Sequence, residues 1–340
     1  MNVTRYGHKA VLLGNGQVLA VTGVPVNTTL DKSAELYNPA TGTWTLTGTS
    51  AMFHEHGSAT LLASGQVLLA GGDDPFDFSP PALTATAELY NPSTGQWTVT
   101  GSMPSARRYQ AAVLLPNGQV LVAGGEDSSF GSIATAILYN PATGTWQPTA
   151  SMHQSRAFPL AVLLTNGTVL VAGGDDIASG GSPITPLTSA EIYNPSTGQW
   201  TVIANMPSTG GPAVLLQNGD VLVARDAFFN PGTGTWTPTG GPFPGNNTIG
   251  AGPSTATLLT TGEVLLTGFR SIYNDTPSLD TTVLYNFSTN TYATGAPMTS
   301  NRFADAATPL PNGQVLISGG YNRQVGFGII PLSSAELYTP

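Results

Sequence analysis

His54 and His56, two residues apart, come nearest in this 340-residue chain to a metal-ligand or acid–base pattern. On an extended strand, positions i and i+2 face the same way. His54 and His56 could therefore offer two imidazoles to one ion, with His8 as a third and Glu55 pointing elsewhere. The same pair could instead exchange protons with an acid such as Asp73, as a sugar-active lyase, epimerase or hydrolase would require. The plainer reading is a solvated or hydrogen-bonded pair, so the expectation is no metal and no cofactor. A second cluster, Arg107-Arg108-Tyr109, sets guanidinium groups beside an aromatic ring. Aromatic planes beside Arg, His and Asp suit a sugar or a peptide, which they meet by stacking and by directional hydrogen bonds. Cysteine is absent, which removes disulfides, thiolate zinc sites and cysteine nucleophiles together. No Ser-His-Asp order and no glycine-rich phosphate loop occurs.

The chain is poor in charge. Only 9% of it is Asp, Glu, Lys or Arg, against a usual value of about 25%. The net charge of −9 argues against nucleic acid, which needs a basic face to displace counterions. No apolar run reaches the ~18 residues of a membrane span, and no signal peptide opens the chain. With 40% hydrophobic residues a packed core is expected. A surface of Thr, Ser, Asn and Gly with only Lys9 and Lys32 for lysines resembles that of a secreted or cell-surface bacterial protein. The chain begins on a repeat boundary, which fits a trimmed, permuted or designed sequence.

What must position these residues is a repeat. Seven segments of the form AVLLPNGQVLVAGG recur, with turn glycines Gly16, Gly65, Gly118, Gly167, Gly219, Gly262 and Gly313, a period of about 50 residues. Each is expected to be a hairpin of strands a and b around a two-residue turn with both residues at positive φ. The nearly continuous apolar runs imply strands covered on both faces. A second hairpin, as in AELYNPSTGQW, supplies strands c and d around an Asn-Pro turn closed by glycine. The strand-d aromatic is Trp44, Trp97, Trp146, Trp200 and Trp236, with Tyr292 in the sixth unit.

The Gly-Gly pair after strand b, the strand-c tyrosines (Tyr37, Tyr90, Tyr139, Tyr193, Tyr285, Tyr338) and the strand-d Trp resemble kelch repeats. The wording NGQVLVAGG…AELYNPxTGxW is most similar to the central propeller of the galactose oxidase family. This resemblance implies an all-β, seven-bladed kelch-type β-propeller as a single domain over 1–340, with units near 5–50, 51–103, 104–152, 153–206, 207–248, 249–298 and 299–340. It does not carry over the copper-radical chemistry, whose crosslink needs a cysteine. The last unit lacks an outermost strand, which neither terminus is long enough to supply, so the seventh blade is expected to be three-stranded and to close the ring against the first.

In such a ring the d-to-a and b-to-c connections share one face. All eight arginines and all four histidines, His153 included, fall there: Arg5, Arg107, Arg108, Arg156 and Arg302 before strand a, and Arg225, Arg270 and Arg323 after strand b. Arg5, Arg156 and Arg302 are expected to pair within their blades with the strand-c residues Glu35, Glu191 and Glu336, because an unpaired buried charge is costly. Unit three has Ile137 where that Glu should be, which makes Arg107 a ligand candidate, with Glu126 or Asp127 as its local alternative. The candidate contact set is Arg107, Arg108, Tyr109, His8, His54, His56, Tyr6, Phe158 and Arg225. Further aromatics are Phe53 and Phe303 before strand a, with Phe76, Phe78, Phe130, Phe269, Tyr321 and Phe327 in b-to-c loops. The acid pairs after Gly-Gly could bind calcium, but loop capping is the plainer role. The expected function is a non-catalytic, monomeric propeller binding a glycan, peptide or protein. A carbohydrate-active enzyme with a His/Asp site and a scaffold without ligand are the alternatives.

Overall fold

Strand b is the most apolar part of each repeat, and its surroundings explain why. In the third blade it spans Val120–Ala123, between strand a (Ala111–Leu114) and strand c (Ala136–Asn140), with strand d (Thr145–Pro148) outermost. Val120 and Val122 pack with Leu68 and Ala70 of the second blade, whereas Leu121 and Ala123 pack with Val169 and Val171 of the fourth. Alternate residues of one strand thus feed two separate cores, because the pleat sends successive side chains to opposite faces. Strand d, on the rim, buries only its Trp146.

The computed structural model describes residues 1–24, 32–74, 82–241, 243–244, 249–251, 253–271, 279–324 and 328–340. Within them seven such sheets follow in chain order, six of four strands and the last of three: Ala306–Pro309, Val315–Ser318 and Ala335–Tyr338. The fold is an all-β, seven-bladed propeller. Strand a lines its centre, and the ring closes where Leu310 and Leu316 of the seventh blade pack with Val18 and Tyr37 of the first. Backbone bonds reinforce that seam, from Gly7 N–H to Ala304 O (2.9 Å) and from Gly320 N–H to Arg5 O (3.0 Å). Elsewhere the blades are joined at the rim. Trp146 Nε1 donates to Gly101 O (2.7 Å), and the Tyr139 hydroxyl meets Thr100 Oγ1 (2.8 Å).

The a–b turns differ from expectation. Asn117 is not left-handed; only Gly118 has positive φ (83°), and its N–H donates to Leu115 O (2.9 Å). Pro116 sits at the second position of a type I turn followed by a left-handed glycine, instead of a two-residue mirror-image turn, and the same turn forms without proline at Gly65 and Gly167, whose N–H groups donate to Leu62 O and Leu164 O (both 2.9 Å). On the opposite face, short ribbons rise from the b-to-c loops, among them Asp175–Ile177 with Ile184–Pro186 in blade four.

Candidate binding face at the channel mouth

Just before strand a, each of four blades buries a cation. In blade four, Arg156 Nη1 donates to Gly173 O (2.9 Å) and Ser189 O (3.0 Å), and Nη2 donates to Ser189 Oγ (3.0 Å) and Glu191 Oε1 (3.2 Å). Glu191 also accepts the backbone N–H groups of His153 (2.8 Å) and Gln154 (3.1 Å). The pair therefore stitches the incoming linker to the end of strand b and the start of strand c. Arg5 with Glu35 (3.3 Å) and Arg302 with Glu336 (2.6 Å) repeat the arrangement.

Two residues beyond these posts, and beyond His54 at the same place in blade two, the backbone turns left-handed, at Gly7, His56, Tyr109, Phe158 and Ala304, with φ of 67°, 55°, 55°, 54° and 55°. Glycine accepts this freely, but bulky side chains rarely do. The result is a run of rings on the loop face: His56 against Tyr109 (centroids 4.5 Å apart), and Tyr109 stacked on Phe158 (4.0 Å). Backbone bonds fix their spacing, since Tyr109 N–H donates to His56 O and Phe158 N–H to Tyr109 O (both 2.9 Å). Phe158 stays 50% exposed. On blades one and seven, Tyr6 and Phe303 continue the aromatic surface by edge contacts with Tyr321 (5.2 and 5.5 Å).

Charges run beneath the rings. Asp73 accepts from His56 Nδ1 (2.9 Å) and Arg108 Nη1 (2.8 Å), while Arg108 Nη2 donates to Glu126 (2.6 Å). The Arg108 guanidinium lies 4.9 Å from the Tyr109 ring centroid and 5.8 Å from that of Phe130. Burial pushes the Asp73 carboxyl up, but the bonds from His56 and Arg108 outweigh it and hold the group below its usual range. Glu55 is buried and its Oε1 lacks a hydrogen bond; it lies 3.9 Å from His56 Nε2. Burial pushes Glu55 up to about 7.

Several candidate residues lie away from this mouth. Arg107 is buried: Nη1 donates to Gly124 O (3.2 Å) and Thr135 O (3.1 Å), and Nη2 to the Ser105 and Thr135 hydroxyls (both 3.1 Å). Lacking a carboxylate, it takes carbonyl and hydroxyl oxygens instead and cannot meet a ligand; Glu126 serves Arg108. His54 is buried with both nitrogens engaged, at Gly71 O (2.7 Å) and Glu88 Oε1 (3.1 Å), replacing the arginine of the other blades. It therefore cannot share an ion with His56, whose left-handed backbone breaks the strand alternation behind that expectation. His8 is buried at the seam against Ser318 Oγ (3.0 Å), and burial drives its imidazole down to about 3. Arg225 lies 4.5 Å above the Phe243 ring. Among the acid pairs, Asp127 does cap its loop by accepting Ser129 N–H (2.8 Å). Phe76, Phe78, Phe327 and the Arg270 side chain lie outside the described residues. Among the described residues no three His, Asp or Glu side chains gather to hold a metal ion, and no helix is long and apolar enough to cross a membrane.

Residues 107–153 and 156–207 match the Kelch motif. The Kelch-like protein terF of Aspergillus terreus is 30% identical over 127 residues, covering 36% of this chain and 27% of that protein. The chain thus matches little more than a quarter of that relative's length.

Proposed function

We propose that this propeller is a non-catalytic binding module that receives a protein or peptide on the face built by the d-to-a and b-to-c loops, with Tyr6, His56, Arg108, Tyr109 and Phe158 at the contact. The observation that carries this reading is the row of three rings held in left-handed backbone at the channel mouth. Such conformations cost of order 1–3 kcal/mol each, and a scaffold without a ligand gives no reason to keep them. Kelch propellers commonly serve in protein interaction, which favours a polypeptide over a glycan. The resemblance to the galactose oxidase propeller rests on the wording of the repeats alone, and export from a bacterium rests on composition alone. Probing peptide and glycan arrays with the intact chain tests the proposal: Tyr109→Ala should weaken peptide capture at least about tenfold, the scale of a buried aromatic anchor. Capture unchanged by Tyr109→Ala, or confined to glycans, would overturn it.

A second reading has one observation in its favour. Asp73 fixes His56 by Nδ1 and leaves Nε2 toward Glu55, whose carboxyl burial pushes up to about 7. A base and an acid at that spacing suit a carbohydrate-active enzyme. Turnover of a polysaccharide panel that is lost in His56→Gln would establish it.

A further inference from the structure

Blades three and four hold corresponding residues at the mouth, but blade four lacks one part. In blade three Arg108 lies opposite Glu126 across a backbone bridge, and its guanidinium pairs with Glu126 while lying over Tyr109. In blade four the same bridge joins Ala157 to Asp175, and the ring is Phe158. Ring and carboxylate are therefore present, but the cation is missing. Ala157 is fully buried, and the Asp175 carboxylate makes no hydrogen bond or ion pair with the described residues. Its neighbour Asp176, by contrast, is held by Ser132, Ser155 and Gln154. Tyr109 covers one side of the Phe158 ring, yet Phe158 as a residue stays half exposed. At the corresponding position of the next blade stands Gly210, with φ of 82° and no side chain to fill the space.

We infer that blade four takes from a partner the cation that blade three supplies for itself: an arginine side chain of a bound protein or peptide, stacked on Phe158 and paired with Asp175. A guanidinium fits better than an ammonium, since it is planar, stacks on a ring and meets a carboxylate with two parallel donors. The net charge of −9 favours the approach of a basic segment to the chain as a whole. Burial pushes Asp175 up with no cation to offset it, so a docking guanidinium relieves a desolvated acid.

This inference rests on the protein-binding reading and deepens it. The test is an NMR titration of the intact chain with acetyl-Gly-Arg-Gly-amide at low ionic strength, beside the lysine and citrulline versions. The arginine peptide should bind, the lysine peptide several-fold less tightly, and the uncharged citrulline peptide not measurably. Asp175→Asn should weaken binding about tenfold and Phe158→Ala about fivefold, the scale of one charged hydrogen-bonded pair and one cation–π contact. Glu263→Gln, in a hairpin on the opposite face, should change nothing. Ala157→Arg supplies the cation in cis and should abolish binding while the chain still melts cooperatively. No binding of the arginine peptide, equal binding of the citrulline peptide, or equal loss in Asp175→Asn and Glu263→Gln overturns the inference. If Tyr109→Ala removes array peptides but Asp175→Asn does not, the inference alone fails. If the arginine peptide binds through Asp175 while Tyr109→Ala changes nothing on the arrays, the wider reading of the face fails instead.

Discussion

Blades three and four share one backbone and invert each other's charges. Below the mouth, blade four pairs Arg156 with Glu191, whereas blade three leaves Arg107 to carbonyl and hydroxyl oxygens. At the mouth, blade three pairs Arg108 with Glu126, whereas blade four leaves Asp175 without a cation among the described residues. The same bridge and the same pair of strands thus hold either a closed ion pair or half of one. The repeat fixes where a charge sits; the neighbouring residue decides whether that charge holds the blade together or faces a partner.

The largest expected effect is on the lower pair. Glu191→Ala leaves Arg156 buried without its carboxylate and strips the acceptor from two linker amides, so stability should fall by about 3–5 kcal/mol. Arg107→Leu removes a cation that never had a carboxylate, and the cost should be nearer the ~1–3 kcal/mol of unsatisfied acceptors. Urea unfolding measures both, and equal losses would erase the distinction between the blades. A smaller effect follows from pH. Burial pushes the Glu191 carboxyl up, but the amides and ring of His153, the Gln154 amide and Arg156 outweigh it and depress the folded-state value. Its contribution is therefore present above the ordinary carboxylate value of 4.5 and is lost as pH falls through the lower folded one. The urea midpoint of Glu191→Gln should fall less steeply between pH 5 and 3 than that of the intact chain. Parallel slopes would show that Glu191 does not titrate as a pair.

The blades were legible because turn glycines and doubly covered strands repeat without gaps, from Gly16 to Gly313. The mouth was harder to read. Nothing about histidine, tyrosine or phenylalanine announces a left-handed backbone, so His56 reads as strand on the same side as His54. Gly7 and Gly210, at the corresponding positions of their units, carry the signal that the ring-bearing positions conceal. Arg107 misled for a related reason. The missing strand-c acid reads as an unmet cation, yet backbone carbonyls, which leave no trace in a sequence, satisfy it.

One residue does record why blade three needs no acid. In blades two and four the strand-c Glu accepts the N–H groups of the two residues after the linker turn: Ala51 and Met52 at Glu88, His153 and Gln154 at Glu191. In blade three the first of those positions is Pro104, which has no N–H to offer, and the acid is Ile137. The fifth unit repeats the combination with Pro207 and Ala227, the residue opposite Val223 as Ile137 is opposite Val122. With a proline in the linker the carboxylate loses one of its donors, and an apolar side chain becomes the better occupant. Ile137→Glu should then cost about 1 kcal/mol, since the lost burial of Ile137 outweighs a new pair with Arg107. In a Pro104→Ala background the restored amide should recover about 0.5–1.5 kcal/mol, the net worth of one hydrogen bond. A double-mutant cycle reads that coupling directly, and a coupling of zero would sever the proline from the missing acid.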